Sequence, residues 1–133
     1  MLYETNRIMT LTKNNKPTES ELEILQVLWD KGEATVRDVH EELLKSKEAG
    51  YTTTLKLMQI MFEKKLVTRD SSSKTHVYKA AVTKENTQNL FLNKMIDSLF
   101  SGSSAQLVMQ ALGNHKASKE ELEEIKNYLN AIR

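Results

Sequence analysis

The feature that most constrains the fold is a change of period within one short span. Apolar residues recur at helical spacing in three successive stretches up to Lys65, and the pattern then becomes that of a hairpin. In the first stretch, "PTESELEILQVLWDKG", Leu22, Leu25, Leu28 and Trp29 share a face at a period of about 3.6 residues. Thr18 and Glu21 have capping-box spacing: the Thr oxygen accepts from an orphan amide and the Glu reaches back. Gly32 suits the stop.

The second stretch, "ATVRDVHEELLKSKEAG", has Thr35 as its cap with Asp38 three residues on. Val36, Val39, Leu43 and Leu44 form its buried stripe, and Gly50 is the expected terminator. The third, "GYTTTLKLMQIMFEKKLV", predicts a helix from Thr52 to Lys65 with Thr52 as the cap. Two β-prone segments follow, Leu66–Arg69 and Thr75–Lys79, around the polar tip "DSSSK". Three short helices followed by a hairpin is the chain order of a winged helix-turn-helix domain. The expected fold class is mainly α with a small β wing, the winged domain being followed by a three-helix dimerisation region.

The expected domain divisions are an N-terminal extension over 1–17, a DNA-binding domain over 18–82 and a helical dimerisation domain over 83–133. Residues 1–16 are polar and aperiodic, and Met9 is a candidate alternative start. After the wing, Thr83 caps a fourth helix carrying Phe91, Leu92, Met95, Ile96, Leu99 and Phe100. "SGSS" breaks it, and a short apolar helix with Leu107 follows, ended by Gly113. Ser118 and Glu121 open a last helix with Leu122, Ile125, Leu129 and Ile132 in one stripe. A unit this small buries too little surface to stand alone, and residues 18–82 leave no long apolar run to receive all three stripes. An intertwined homodimer is favoured, the alternative being a monomer with these helices folded back.

Charge narrows the partner. Residues 51–82 hold six basic side chains (Lys56, Lys64, Lys65, Arg69, Lys74, Lys79) against Glu63 and Asp70, although the whole chain carries only +1. A local basic surface on a near-neutral chain is the footprint of a polyanion, or else a solvated charged face. On a helical wheel the third helix turns Leu55, Met58, Met61 and Phe62 to the core, flanked by Thr54 and Leu57. Thr53, Lys56, Ile60 and Glu63 face outward, with Thr52 and Gln59 at the edge. The start of such a helix enters the major groove, where Thr, Lys and Gln reach bases and phosphates. The expected DNA-binding residues are Thr52, Thr53, Lys56, Gln59, Ile60 and Lys64, with Arg69, Lys74 and Lys79 tracking phosphates from the wing. Ser71, Ser72 and Ser73 read as a flexible tip.

Nothing marks an enzyme or a metal protein. Cysteine is absent, which excludes disulfides and thiolate metal sites and fits a cytoplasmic protein. His40, His76 and His115 lie in three different elements, with no metal-ligand spacing among them. His76, on a wing strand, reads as structural or phosphate-facing. No phosphate-cradling glycine loop or nucleophile elbow occurs, so no cofactor is expected. No apolar run reaches the ~18 residues of a membrane span, so no membrane insertion is expected.

The ordered set "TESELEILQVLWDKGEATVRDVHEEL", "YTTTLKLMQIMFEKKLV", "VYKAAVTKEN", "SLFSGSSAQLVMQAL" and "SKEELEEIKNYL" resembles the penicillinase-repressor family, the BlaI/MecI repressors with their copper-responsive CopY relatives. The resemblance runs from about Thr18 to the C-terminus. It implies a dimeric winged-helix repressor on an inverted-repeat operator of double-stranded DNA. In antibiotic-responsive members a membrane sensor metalloprotease relieves repression by causing cleavage in the C-terminal domain.

Three departures stand out. Gln59-Ile60 replaces the Asn-Arg of many members at the centre of the recognition helix, which bears on operator preference. Lys65 replaces a Gly at the turn into the wing. Gln110-Ala111 aligns with the scissile Asn-Phe and is the candidate cleavage position. The cysteines of copper-responsive members are absent, so metal sensing is not carried over. Two other readings compete with specific DNA binding: a protein-interaction module anchored by Leu57 and Ile60, and a ligand-sensing repressor of the MarR type.

Overall fold

Side chains at helix starts set the frame. The computed structural model describes residues 16–114 and 116–132; Met9, His115 and nearly all of the expected extension fall outside them. α1 spans Glu19–Lys31 and α2 spans Val36–Leu43. Thr18 and Glu21 form the first capping box, Thr35 and Asp38 the second. α1 stops at Gly32, whose φ of 86° favours a residue without Cβ.

α2 stops earlier than its terminator suggests. After Leu43 the chain turns through Leu44, and Gly50 is the N-cap of the next helix, α3 (Tyr51–Glu63). Thr52 therefore stands inside the first turn of α3 and is not its cap, and no side chain caps this helix. Thr54 is buried instead, its hydroxyl donating to the Gly50 carbonyl at 3.3 Å.

α3 ends in a Schellman turn. Leu66 N donates to Met61 O at 2.9 Å and Lys65 N to Phe62 O at 3.1 Å. Lys65 takes the left-handed conformation, φ 67°, at the position where the resembling family has Gly. The turn into the wing is thus kept with a lysine in it.

β1 (Val67–Asp70) and β2 (Val77–Ala80) pair antiparallel, Asp70 opposite Val77 and Arg69 opposite Tyr78. Both strands begin a residue or two later than the β-prone segments suggest. A third edge comes from Ala34, which exchanges hydrogen bonds of 3.0 and 2.8 Å with Tyr78.

The core lies where α1, α2, α3 and the wing meet. Ile24, Leu25, Leu28, Val39, Met58, Met61, Leu66 and Tyr78 are fully buried there. Burial of each large apolar side chain contributes about 1.5–3 kcal/mol. Trp29 Nε1 donates to Val82 O at 2.9 Å and ties α1 to the exit from the wing. Phe62 departs from the wheel: it is 37% exposed, and the Arg69 guanidinium covers its ring at 4.0 Å.

α4 spans Lys84–Leu99, α5 Ser104–Asn114 and α6 Lys119–Ala131. Thr83 Oγ1 accepts from Asn86 N at 3.0 Å, Ser103 Oγ from Gln106 N at 3.1 Å, and Ser118 with Glu121 forms the third capping box. Gly113 does not stop α5, which runs one residue beyond it. The chain divides into two units between Leu90 and Phe91. In the second unit none of the described residues is buried. No helix among the described residues is long and apolar enough to cross a membrane.

Candidate nucleic-acid interface

α3 presents a polar outer face because its buried positions follow Thr54, Met58 and Met61. Opposite them Thr52, Lys56, Gln59 and Glu63 are exposed at spacings of three and four residues, and Thr53 is exposed beside them. Leu57 and Ile60 are partly buried. Thr52, relieved of capping, joins Lys56 on one ridge of this face.

The wing stands beside α3. Between them lies an open cleft of about 390 Å³, walled by Gln59 and Leu55 of α3, Thr35 and Arg37 of α2, and Lys74 and His76 of the hairpin loop. Arg69 also lines it. Asp70 accepts from Ser72 N at 2.9 Å, which holds the turn and lowers the Asp70 carboxyl below its ordinary range.

Of the residues expected at a DNA interface, Gln59, Arg69 and Lys74 line this cleft, while Thr52, Thr53 and Lys56 are exposed on α3 outside it and Ile60 is half-covered. Lys64 is engaged elsewhere. Its ammonium donates to Glu21 Oε1 at 2.6 Å and to the Lys16 carbonyl at 3.1 Å. Lys79 leans to the other side of the hairpin, 3.6 Å from Glu33.

Arg37 belongs to the cleft although no periodicity marks it. It follows the buried Val36 on α2, and only the approach of the wing gives it a role. The one available signal is an exposed cation next to a capping box. Among the described residues no group of carboxylates and histidines is placed to hold a metal ion.

A trihelical core, an outward third helix and a β wing define the winged helix-turn-helix class. Within that class the chain belongs to the penicillinase repressor family, which it matches over residues 17–131. It is 22% identical over 121 residues to a penicillinase repressor of Staphylococcus aureus, covering 89% of this chain and 96% of that protein. It is 23% identical over 118 residues to the methicillin resistance regulatory protein MecI of Staphylococcus aureus (strain N315), with the same coverage. MecI of Mammaliicoccus sciuri is 22% identical over 118 residues. Members of the family regulate transcription and are not enzymes, and this chain is a regulator of the same kind.

Proposed function

We propose that the chain represses transcription in the cytoplasm by binding, as a homodimer, an inverted-repeat operator in double-stranded DNA. The observation that carries this is the ridge of Thr52, Lys56 and Gln59, exposed on α3 beside a cationic wing. In this reading Thr52, Thr53, Lys56 and Gln59 enter the major groove, while Arg69 and Lys74 position the protein on phosphates. Ile60 covers a thymine methyl at the edge of the groove. The dimer forms through the second unit, with Phe91, Leu92, Met95, Ile96, Leu99, Leu107, Leu122, Ile125 and Leu129 as its seam. Leu57 and Ile60, the anchors of a protein-interaction module, are only partly exposed, which favours DNA over that alternative.

Relief of repression through a membrane sensor protease would act at Gln110-Ala111. Both residues are exposed but helical, so α5 must unwind locally before a protease can accept the strand.

The test is selection of duplexes from a random-sequence pool by the full-length protein. Enrichment of a palindrome, with affinity falling steeply as salt rises, supports the reading. Lys56→Ala then weakens the selected duplex more than an unrelated one. No enrichment above nonspecific binding removes it.

A further inference from the structure

The cleft between α3 and the wing has a composition that groove reading does not explain. Its cationic groups come from three elements, Arg37 from α2, Arg69 from β1 and Lys74 from the hairpin loop, and the His76 imidazole stands with them at the loop's end. Among the described residues no carboxylate lines it. Arg69 Nε is buried and has no hydrogen-bond acceptor among the described residues. The acids of the hairpin region, Glu33 and Asp70, lie with Lys79 around a second hollow, which Arg69 also lines, so Arg37 and Lys74 are the cations that face no acid. Like charges gathered without counter-charges repel one another, and an anion seated among them removes that cost. The cleft opens beside Gln59 on the recognition helix, and its volume of about 390 Å³ admits a phosphate with its waters.

We infer that this cleft seats a backbone phosphodiester of the bound DNA, anchored by Arg37, and that His76 takes up a proton when the phosphate enters. The inference rests on the DNA-binding reading and deepens it. A phosphodiester keeps one full negative charge throughout the imidazole range. An anion a few ångströms from an imidazole favours the imidazolium. Facing His76 across the cleft are Arg37 from α2, Tyr51 from α3, Arg69 from β1, Lys74 from the loop and Tyr78 from β2. The bound state then holds more protons than the free state, so DNA affinity falls as pH rises through the imidazole range.

The probe is the duplex that the wild-type protein enriches from a random pool, read by fluorescence anisotropy at fixed ionic strength between about pH 6 and pH 8. Wild type is expected to lose affinity severalfold over that range, with a limiting slope of about tenfold per pH unit. H76Q is expected to flatten the profile. Calorimetry in two buffers of different ionisation enthalpy should show proton uptake by wild type and none by H76Q. R37Q should lose about tenfold in affinity and lower the salt slope by about one.

An H76Q profile that tracks wild type, or an R37Q salt slope equal to wild type, overturns the assignment. So does inorganic phosphate abolishing the pH dependence at matched ionic strength, which would put a free anion in the cleft. If wild type enriches no duplex at any pH, the DNA reading itself falls and takes this one with it, so the two failures are told apart.

Discussion

Lys64 Nζ lies 2.6 Å from Glu21 Oε1, and this contact joins the end of α3 to the start of α1. The Glu21 side chain is 3% exposed and that of Lys64 21%. Glu21 also serves the capping box, accepting from Thr18 N at 2.8 Å. One carboxylate thus holds a helix start and a tertiary contact. Removing the lysine leaves a buried charge without its partner, which costs more than the pair contributes. Lys64→Met is expected to lower stability by about 1–3 kcal/mol in urea unfolding. Glu21→Gln in the same background should recover part of that loss. If Lys64 served DNA instead, Lys64→Met would lower the salt slope of binding; a wild-type slope is expected.

Lys65 holds a left-handed backbone that only the Schellman turn demands. A side chain with Cβ costs about 1 kcal/mol there, and glycine does not. Lys65→Gly is therefore expected to stabilise the winged domain by about that amount. For a domain of this size the midpoint rises by about 4–8 °C. A fall in the midpoint would show that the lysine makes a contact worth more than the strain.

Local chemistry was readable from the sequence; contacts distant along the chain were not. The three capping boxes depend on side chains three residues from the backbone amides that donate to them, and all three formed where Thr18, Thr35 and Ser118 stand. Thr54 was legible as structural from its place at the buried edge of the helical wheel, and it is buried. Thr52 misled because Gly50 read as the end of the helix before it, whereas glycine caps about as well as threonine, and the buried Thr54 bonds back to Gly50. Phe62 misled because a wheel records direction only, and not that Arg69 would arrive from the wing to cover it. Lys64 counted as one cation of a basic stretch until Glu21, 43 residues away, claimed it. Arg37 reached the cleft by the same kind of tertiary approach.

Acid should weaken the start of α2. The Thr35 backbone amide, and after it the Thr35 hydroxyl, hold the Asp38 carboxyl below its ordinary range. A carboxylate with a lowered folded value contributes stability above its unfolded value. That contribution is lost as pH falls through the folded value. Asp38→Asn lacks it at every pH. The stability gap between wild type and Asp38→Asn should thus be widest near neutrality and close as pH falls through the lowered folded value of Asp38. Near neutrality the gap is expected to be about 0.5–1 kcal/mol, the scale of a helix cap. A gap that stays constant under acid would assign the cap to Thr35 alone.

The second unit presents apolar area that water does not tolerate cheaply. Leu99 is 73% exposed, Met109 71% and Leu129 58%, on helices whose polar faces are fully solvated. Large apolar side chains exposed in such number mark association surfaces. A two-fold interface uses each residue twice, so one substitution acts at two places. Leu99→Asp with Leu129→Asp forfeits the burial of four leucines in the assembly. At about 1.5 kcal/mol each this weakens association at least a thousandfold. Sedimentation equilibrium should show dimer mass for wild type at micromolar concentration and monomer mass for the double variant. DNA affinity should fall with it, because a monomer engages one half-site and loses the gain from linking two. If wild type sediments as a monomer at high micromolar concentration, the seam is not a dimer interface, and the inverted-repeat operator loses its physical basis.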